Sequence, residues 1–246
     1  MTDYKNLKLI ATSSPHIRGH ETTRSIMLDV IIAMLPALLF ACIRFGLRAL
    51  TLTAVSVAGC FFWEWLYRKL MKKPQSVGDL SCAVTGMLLA FVCPVQMPYW
   101  MILVGDFFAI VVVKQLFGGL GYNFANPAIV GRIAMAMGFA GRMSTYGFPQ
   151  GVDATSAATP LSSAAEGIDY VTLLLGTHGG VLGETCAIAL IIGGVYLIVT
   201  KVISPTIPVT YLATVAVLSL IAGKDPIYQL LSGGLLLGAF FMATDY

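Results

Sequence analysis

The stretch Asp153-Ala-Thr-Ser-Ala-Ala-Thr159-Pro160-Leu161 has the most distinct chemical character in this 246-residue chain. It is small and hydroxyl-rich, and it ends at a helix breaker. Four small residues ahead of Thr159 leave its hydroxyl open to a modifying enzyme. The same composition suits a flexible Ser/Thr/Ala linker, and on composition alone the linker is preferred. A second kind of chemistry lies in acids within apolar runs, because ionisable groups at membrane depth are functional candidates by default. Asp106 stands near the middle of the run 99–117 and is the ion-pathway candidate. Lys114 follows two helical turns later, beyond the i,i+4 spacing of an adjacent pair. Asp106 can bind a transported cation or pair with an arginine such as Arg132, and the structural pair is preferred. Asp29 and Glu64 lie nearer the ends of apolar runs and read as interfacial. Asp79 precedes a short apolar segment, and Glu184 opens a longer one.

Other chemistries find little support. The five cysteines sit mainly in apolar segments with no C-x-x-C pair, so free buried thiols are expected. His16, His20 and His178 are scattered, with no carboxylate pattern to make a metal site. Neither an iron–sulfur spacing nor a dinucleotide fingerprint occurs. The turn Gly118-Gly-Leu-Gly121-Tyr-Asn123 is either a backbone nest or a tight structural turn, and we prefer the turn. Asn126-Pro127 should start a helix, with Asn126 as cap and Pro127 in the first turn. That terminus would offer partial positive charge to an anion.

The elements that position these residues are transmembrane helices. Hydrophobic residues make up 57% of the chain and charged ones 11%, against roughly 25% charged in a soluble domain. The runs 27–45, 49–67, 99–117, 181–200, 206–222 and 227–243 each approach the ~20 residues that cross a hydrocarbon core. The polar first 26 residues lack the apolar stretch of a signal peptide. Residues 82–93 and 127–140 are shorter, the second interrupted by Arg132. Broken helices at membrane depth persist only against protein or a water-filled cavity, and in transporters they often flank the binding site. With a cytoplasmic N-terminus, only Arg44, Arg48, Arg142 and Lys224 of the fifteen lysines and arginines fall outside, and the positive-inside rule supports that orientation. The basic clusters thus read as topology signals, with lipid as the partner and nucleic acid excluded.

Residues 84–91 (Val-Thr-Gly-Met-Leu-Leu-Ala-Phe) are echoed by residues 232–240 (Ser-Gly-Gly-Leu-Leu-Leu-Gly-Ala-Phe), and two long apolar segments precede each. We expect an all-α, polytopic membrane helix bundle of two related halves with broken or short helices, forming a single domain over residues 1–246. By the echo, the second half should continue past Tyr246 with another long helix and a second broken one, so a truncated second half is expected. Residues 141–180 form the one long loop, on the non-cytoplasmic face by the charge argument, and loops of that length are more often functional than idle.

Asp153-x-x-Ser-Ala-Ala-Thr159 resembles the flavinylation motif Asp-x-x-Ser/Thr-Gly-Ala-Thr, with Ala157 at the usual Gly. The stretch from Lys114 to Ala128, with Gly131-Arg132, resembles the matching region of the NqrB/RnfD family. Ser14-Pro-His16 and Thr22-Thr-Arg-Ser-Ile-Met27 are similar to the start of its RnfD branch, which lacks the long N-terminal extension of NqrB. The resemblance covers nearly the whole chain in the right order. It implies FMN joined to Thr159 by a phosphoester, with Asp153, Ser156 and Ala158 as motif residues and Asn123 and Asn126 as further cofactor-binding candidates. The NqrB analogy allows for a second, non-covalent flavin (riboflavin) between the halves. The implied role is that of a membrane subunit in the Rnf complex of the bacterial or archaeal cytoplasmic membrane. Such a subunit relays electrons between ferredoxin and NAD, coupled to Na⁺ or H⁺ translocation, and catalyses no net reaction alone. The implied partners are RnfA, RnfB, RnfC, RnfE and RnfG, with a flavin transferase during maturation. The alternative is a channel or secondary transporter with inverted repeats and no redox cofactor, which would not need the Asp153–Thr159 motif.

Overall fold

The computed structural model describes residues 22–146, 161, 169–176, 178–184 and 186–245. Among these residues the chain is helical and has no strand. Helix α1 (Thr23–Phe45) begins at Thr22, whose Oγ1 accepts from the Ser25 N–H while its own N–H donates to Ser25 Oγ. This is a capping box, with Ser25 in the place more often held by Glu or Gln. Pro36 lies inside α1 without ending it, as membrane helices tolerate. Gly46 (φ 73) turns the chain straight into α2 (Leu47–Leu70). These two helices are long and apolar enough to cross a membrane by length and composition.

A 3₁₀ turn (Val77–Asp79) leads to α3 (Ser81–Phe91), whose residues are all buried. A helix covered on every side touches neither water nor lipid, which explains why eleven residues suffice. Helix α4 (Tyr99–Phe107) runs on as a π-helix over Phe108–Gln115. Next come α5 (Pro127–Gly138), the single turn α6 (Ala140–Met143) and α7 (Tyr170–Leu175). Helices α8 (Ala187–Val199) and α9 (Thr206–Ile221) are followed by α10 (Pro226–Leu231) and α11 (Leu235–Leu237), which continues as a π-turn to Met242.

The order of two longer helices and one short or broken one thus occurs twice, as α1–α3 and as α8–α11. Two expected spans change. Residues 181–184 are irregular, so α8 begins only at Ala187. The run 227–243 is broken at Ser232–Gly234, where Gly233 has φ +67. The expected short segments 82–93 and 127–140 appear as α3 and α5. All five cysteines are free.

Small residues let the helices approach closely, the usual means of packing where lipid offers no hydrophobic drive. A Cβ on Gly193 of α8 would collide with the Ala33 carbonyl oxygen of α1. One on Gly86 of α3 would lie 2.8 Å from Val57 Cα of α2. Large apolar side chains such as Leu39, Ile43, Ile192, Val199 and Ile221 point outward, as a lipid-facing surface requires.

Candidate functional site

Ser56, Cys60 and Glu64 recur every four residues along α2, so they form one stripe on one face. That face meets α3 and α4, and the stripe faces two acid sites in turn. At the first, Asp106 is wholly buried. Its Oδ1 lies 2.7 Å from Ser56 Oγ and 3.3 Å from Cys60 Sγ, while Oδ2 has no partner among the described residues. Ser56 Oγ also lies 2.9 Å from the Gly86 carbonyl oxygen of α3. Oδ2 occupies the room left by a missing side chain, since a Cβ on Gly59 would collide with it. The expected arginine pair is not formed. Arg132 makes no salt bridge with Asp106, and the hydroxyl and thiol of α2 take that place.

At the second site Lys114 Nζ donates to Glu64 Oε2 at 2.8 Å and to Ser81 Oγ at 2.6 Å, with both charged side chains at most 2% exposed. Ser76 Oγ donates to Glu64 Oε1. Asp79 Oδ1 accepts from the Ser81 N–H at 2.9 Å and from Ser81 Oγ at 2.6 Å. Glu64 is therefore no interfacial residue. It is a core residue, and its partner is eight positions after Asp106. In a regular α-helix that spacing leaves Lys114 about 80° round from Asp106. The wider π-turns bring it back to the face that meets α2. Cys60, Cys82 and Ile110 pack together between the two polar sites. The four-residue spacing of Ser56, Cys60 and Glu64 is the sequence signal for this stripe.

Asn126 caps α5 as expected, its Oδ1 accepting from the N–H groups of Ala128 and Ile129. Its Nδ2 donates to Asp245 Oδ2 at 2.9 Å and to the Met242 carbonyl at 3.4 Å, which ties α5 to the end of the second half. Asn123, Ala125, Asn126, Pro127, Met242 and Asp245 line a cavity of ≈ 210 Å³. Asn123 Oδ1 is buried there without a partner among the described residues. Asn126 is thus engaged at both amide atoms, and the Asn123 amide is the group here that could hold a polar cofactor edge. Gly118, Gly119 and Gly121 of the preceding turn all have positive φ. Arg68 braces this region, donating to Gln115 Oε1 at 3.1 Å and to the Pro74 carbonyl at 2.7 Å.

Thr159, Asp153, Ser156 and Ala158 lie outside the described residues. Leu161, two positions after Thr159, packs on the break between α10 and α11, where a Cβ on Gly233 would lie 2.9 Å from Leu161 Cδ1. Half-buried Glu184 borders the same break, its Oε1 3.4 Å from where a Gly234 Cβ would be. Beside it the Gly183 N–H donates to the Phe91 carbonyl at 2.8 Å. A Cβ on Gly183 would lie 3.1 Å from Leu237 Cδ2. The two echo segments therefore converge on residues 181–184. Tyr170, at the start of α7, donates through its hydroxyl to the Asp225 carboxylate that caps α10. That bond holds the Asp225 carboxyl below its usual range and raises the Tyr170 phenol.

Residues 10–246 match the NQR2, RnfD, RnfE family. The chain is 47% identical over 248 residues to the D subunit of the Na(+)-translocating ferredoxin:NAD(+) oxidoreductase complex of Acetobacterium woodii, covering 98% of this chain and 78% of that protein. It is 37% identical to the D subunit of the proton-translocating ferredoxin:NAD(+) oxidoreductase complex of Clostridium ljungdahlii, over 98% of this chain and 79% of the relative. Identity to the D subunit of the ion-translocating oxidoreductase complex of Rhodobacter capsulatus is 34%, with 95% of this chain and 77% of that protein covered.

Proposed function

Since the chain belongs to the NQR2, RnfD, RnfE family, we propose that it is the D subunit of an ion-translocating ferredoxin:NAD oxidoreductase complex and carries FMN on Thr159. The observation that carries this is the hydroxyl-rich motif Asp153–Thr159, standing in a chain whose relatives bear that subunit name. In this reading Asp153, Ser156 and Ala158 present Thr159 to the flavin transferase.

The flavin supplies one- and two-electron redox chemistry, and the chain supplies depth, orientation and surroundings. A fixed anchor makes transfer to a neighbouring centre effectively intramolecular. The threonine oxygen itself takes no part in the redox step. The Asn123 amide is the group we assign to a second, non-covalent flavin, riboflavin, with Asn126 holding the helix start beside it. The partners are the other Rnf subunits, RnfA, RnfB, RnfC, RnfE and RnfG. The N-terminus faces the cytoplasm and the Thr159 loop the outer face, on the charge distribution.

In a denaturing gel under ultraviolet light, the chain matured with its transferase should fluoresce, and Thr159→Ala should be dark. Peptide mass analysis should find FMN on Thr159. A wild-type chain without fluorescence would leave the cofactor-free transporter reading, which draws on the broken α10–α11 helix, in the stronger position.

A further inference from the structure

We propose that Asp106 is a proton-binding site: a carboxylic acid kept neutral inside the helix bundle, donating from Oδ1 to Ser56 Oγ, whose hydroxyl in turn donates to the Gly86 carbonyl. This does not rest on the covalent flavin. It concerns which group of this chain holds an ion, and which ion that is.

The hydrogens balance only when Asp106 carries a proton. Ser56 Oγ lies 2.7 Å from Asp106 Oδ1 and 2.9 Å from the Gly86 carbonyl oxygen, yet it has one hydrogen to give. With an ionised Asp106, both neighbours are pure acceptors and Ser56 must divide its one hydrogen between the two short contacts. With a proton on Asp106, each contact holds one hydrogen and the chain runs in a single direction.

Charge points the same way. An ionised carboxylate away from water needs a cation or a set of donors, and without them it takes up a proton. Asp106 is wholly buried and its Oδ2 is unpartnered. The charged groups of the surrounding elements do not serve it. On the π-helix Lys114 is engaged by Glu64, and on α5 Arg132 makes no salt bridge with it. From α2 comes the Cys60 thiol, and α3 presents the Gly86 carbonyl with Cys82 further along. A neutral C=O at Oδ2 carries a far smaller desolvation cost than an orphaned charge.

The described groups around Oδ2 do not build a metal ion's shell. A Gly59 Cβ would collide with Oδ2 and would sit 2.7 Å from the Leu103 Cδ2 methyl. Apolar carbon thus borders the glycine gap that Oδ2 enters, where a cation needs oxygen ligands. No group of three or more His, Cys, Asp or Glu side chains suited to a metal occurs among the described residues. A proton needs no such shell.

The test is infrared spectroscopy of the assembled complex in lipid near neutral pH. Wild type should show a protonated-carboxyl C=O band that shifts in D₂O and is missing from Asp106→Asn. Ser56→Ala should keep the band and move it, because the acid loses its acceptor. If Asp106→Asn does not assemble, Ser56→Ala alone decides: a moved band supports the site, and an unchanged carbonyl region overturns it. A difference spectrum without a lost band, or a band abolished by sodium at fixed pH, overturns it as well. A Thr159→Ala complex lacking flavin should retain the band, which separates failure of this site from failure of the redox reading.

Discussion

Asp106 meets the same stripe of α2 to which Glu64 itself belongs, yet the environments of the two acids differ in one respect. Glu64 has a cation, Lys114, together with the Ser76 hydroxyl. Asp106 has a hydroxyl and a thiol and no cation. A buried acid with an ammonium group beside it stays charged and locks two helices together. A buried acid with only neutral neighbours is most stable when it is neutral too. Burial alone therefore does not assign a role to a membrane carboxylate, and the nearest cation does.

The largest test of that contrast is to neutralise each acid in turn. Glu64→Gln leaves Lys114 buried and unpaired and should cost about 3–5 kcal/mol of stability. Asp106→Asn exchanges one neutral group for another of the same shape and should cost only about 1 kcal/mol. Denaturant unfolding in detergent measures both, and equal losses would break the comparison. Next in size is Gly59→Ala. Its new methyl would stand in the space of Asp106 Oδ2, with an expected cost of about 1–3 kcal/mol. The double variant with Asp106→Ala removes the carboxyl part of that clash and should recover part of the loss, the Leu103 Cδ2 contact remaining.

The smallest effect concerns the surface pair Tyr170–Asp225, a polar contact that water reaches freely. The Tyr170 hydroxyl depresses the Asp225 carboxyl, so its contribution is present above the unfolded-state value and is lost as pH falls through the folded one. Tyr170→Phe should therefore lower the unfolding midpoint slightly at neutral pH and leave it unchanged in acid below that window. A difference that grows on acidification would contradict the sign.

Helices, short helices and caps are legible in the sequence because their causes are local. The apolar runs mark α1, α2 and α9, and Asn126-Pro127 marks the start of α5. Asp106 is visible as a candidate, since an acid stands out in an apolar run. Its partner is not visible, because Arg132 and Ser56 are both remote in sequence and the π-helix alters which residues of α4 face α2. Glu64 is misplaced by sequence for a related reason: distance from the end of an apolar run says little about burial when a covered helix such as α3 packs alongside.

Composition and spacing alone determine that this chain lives in a membrane and that Asp106 is out of place there, while the Asp153–Thr159 motif is read from a family resemblance. Each follows from residues within a few positions of one another. Which acid meets a cation, and which meets only a hydroxyl and a thiol, was decided by the packing of α2 against α3 and α4. Side chains fifty positions apart come within hydrogen-bond reach there, and no local pattern encodes that distance.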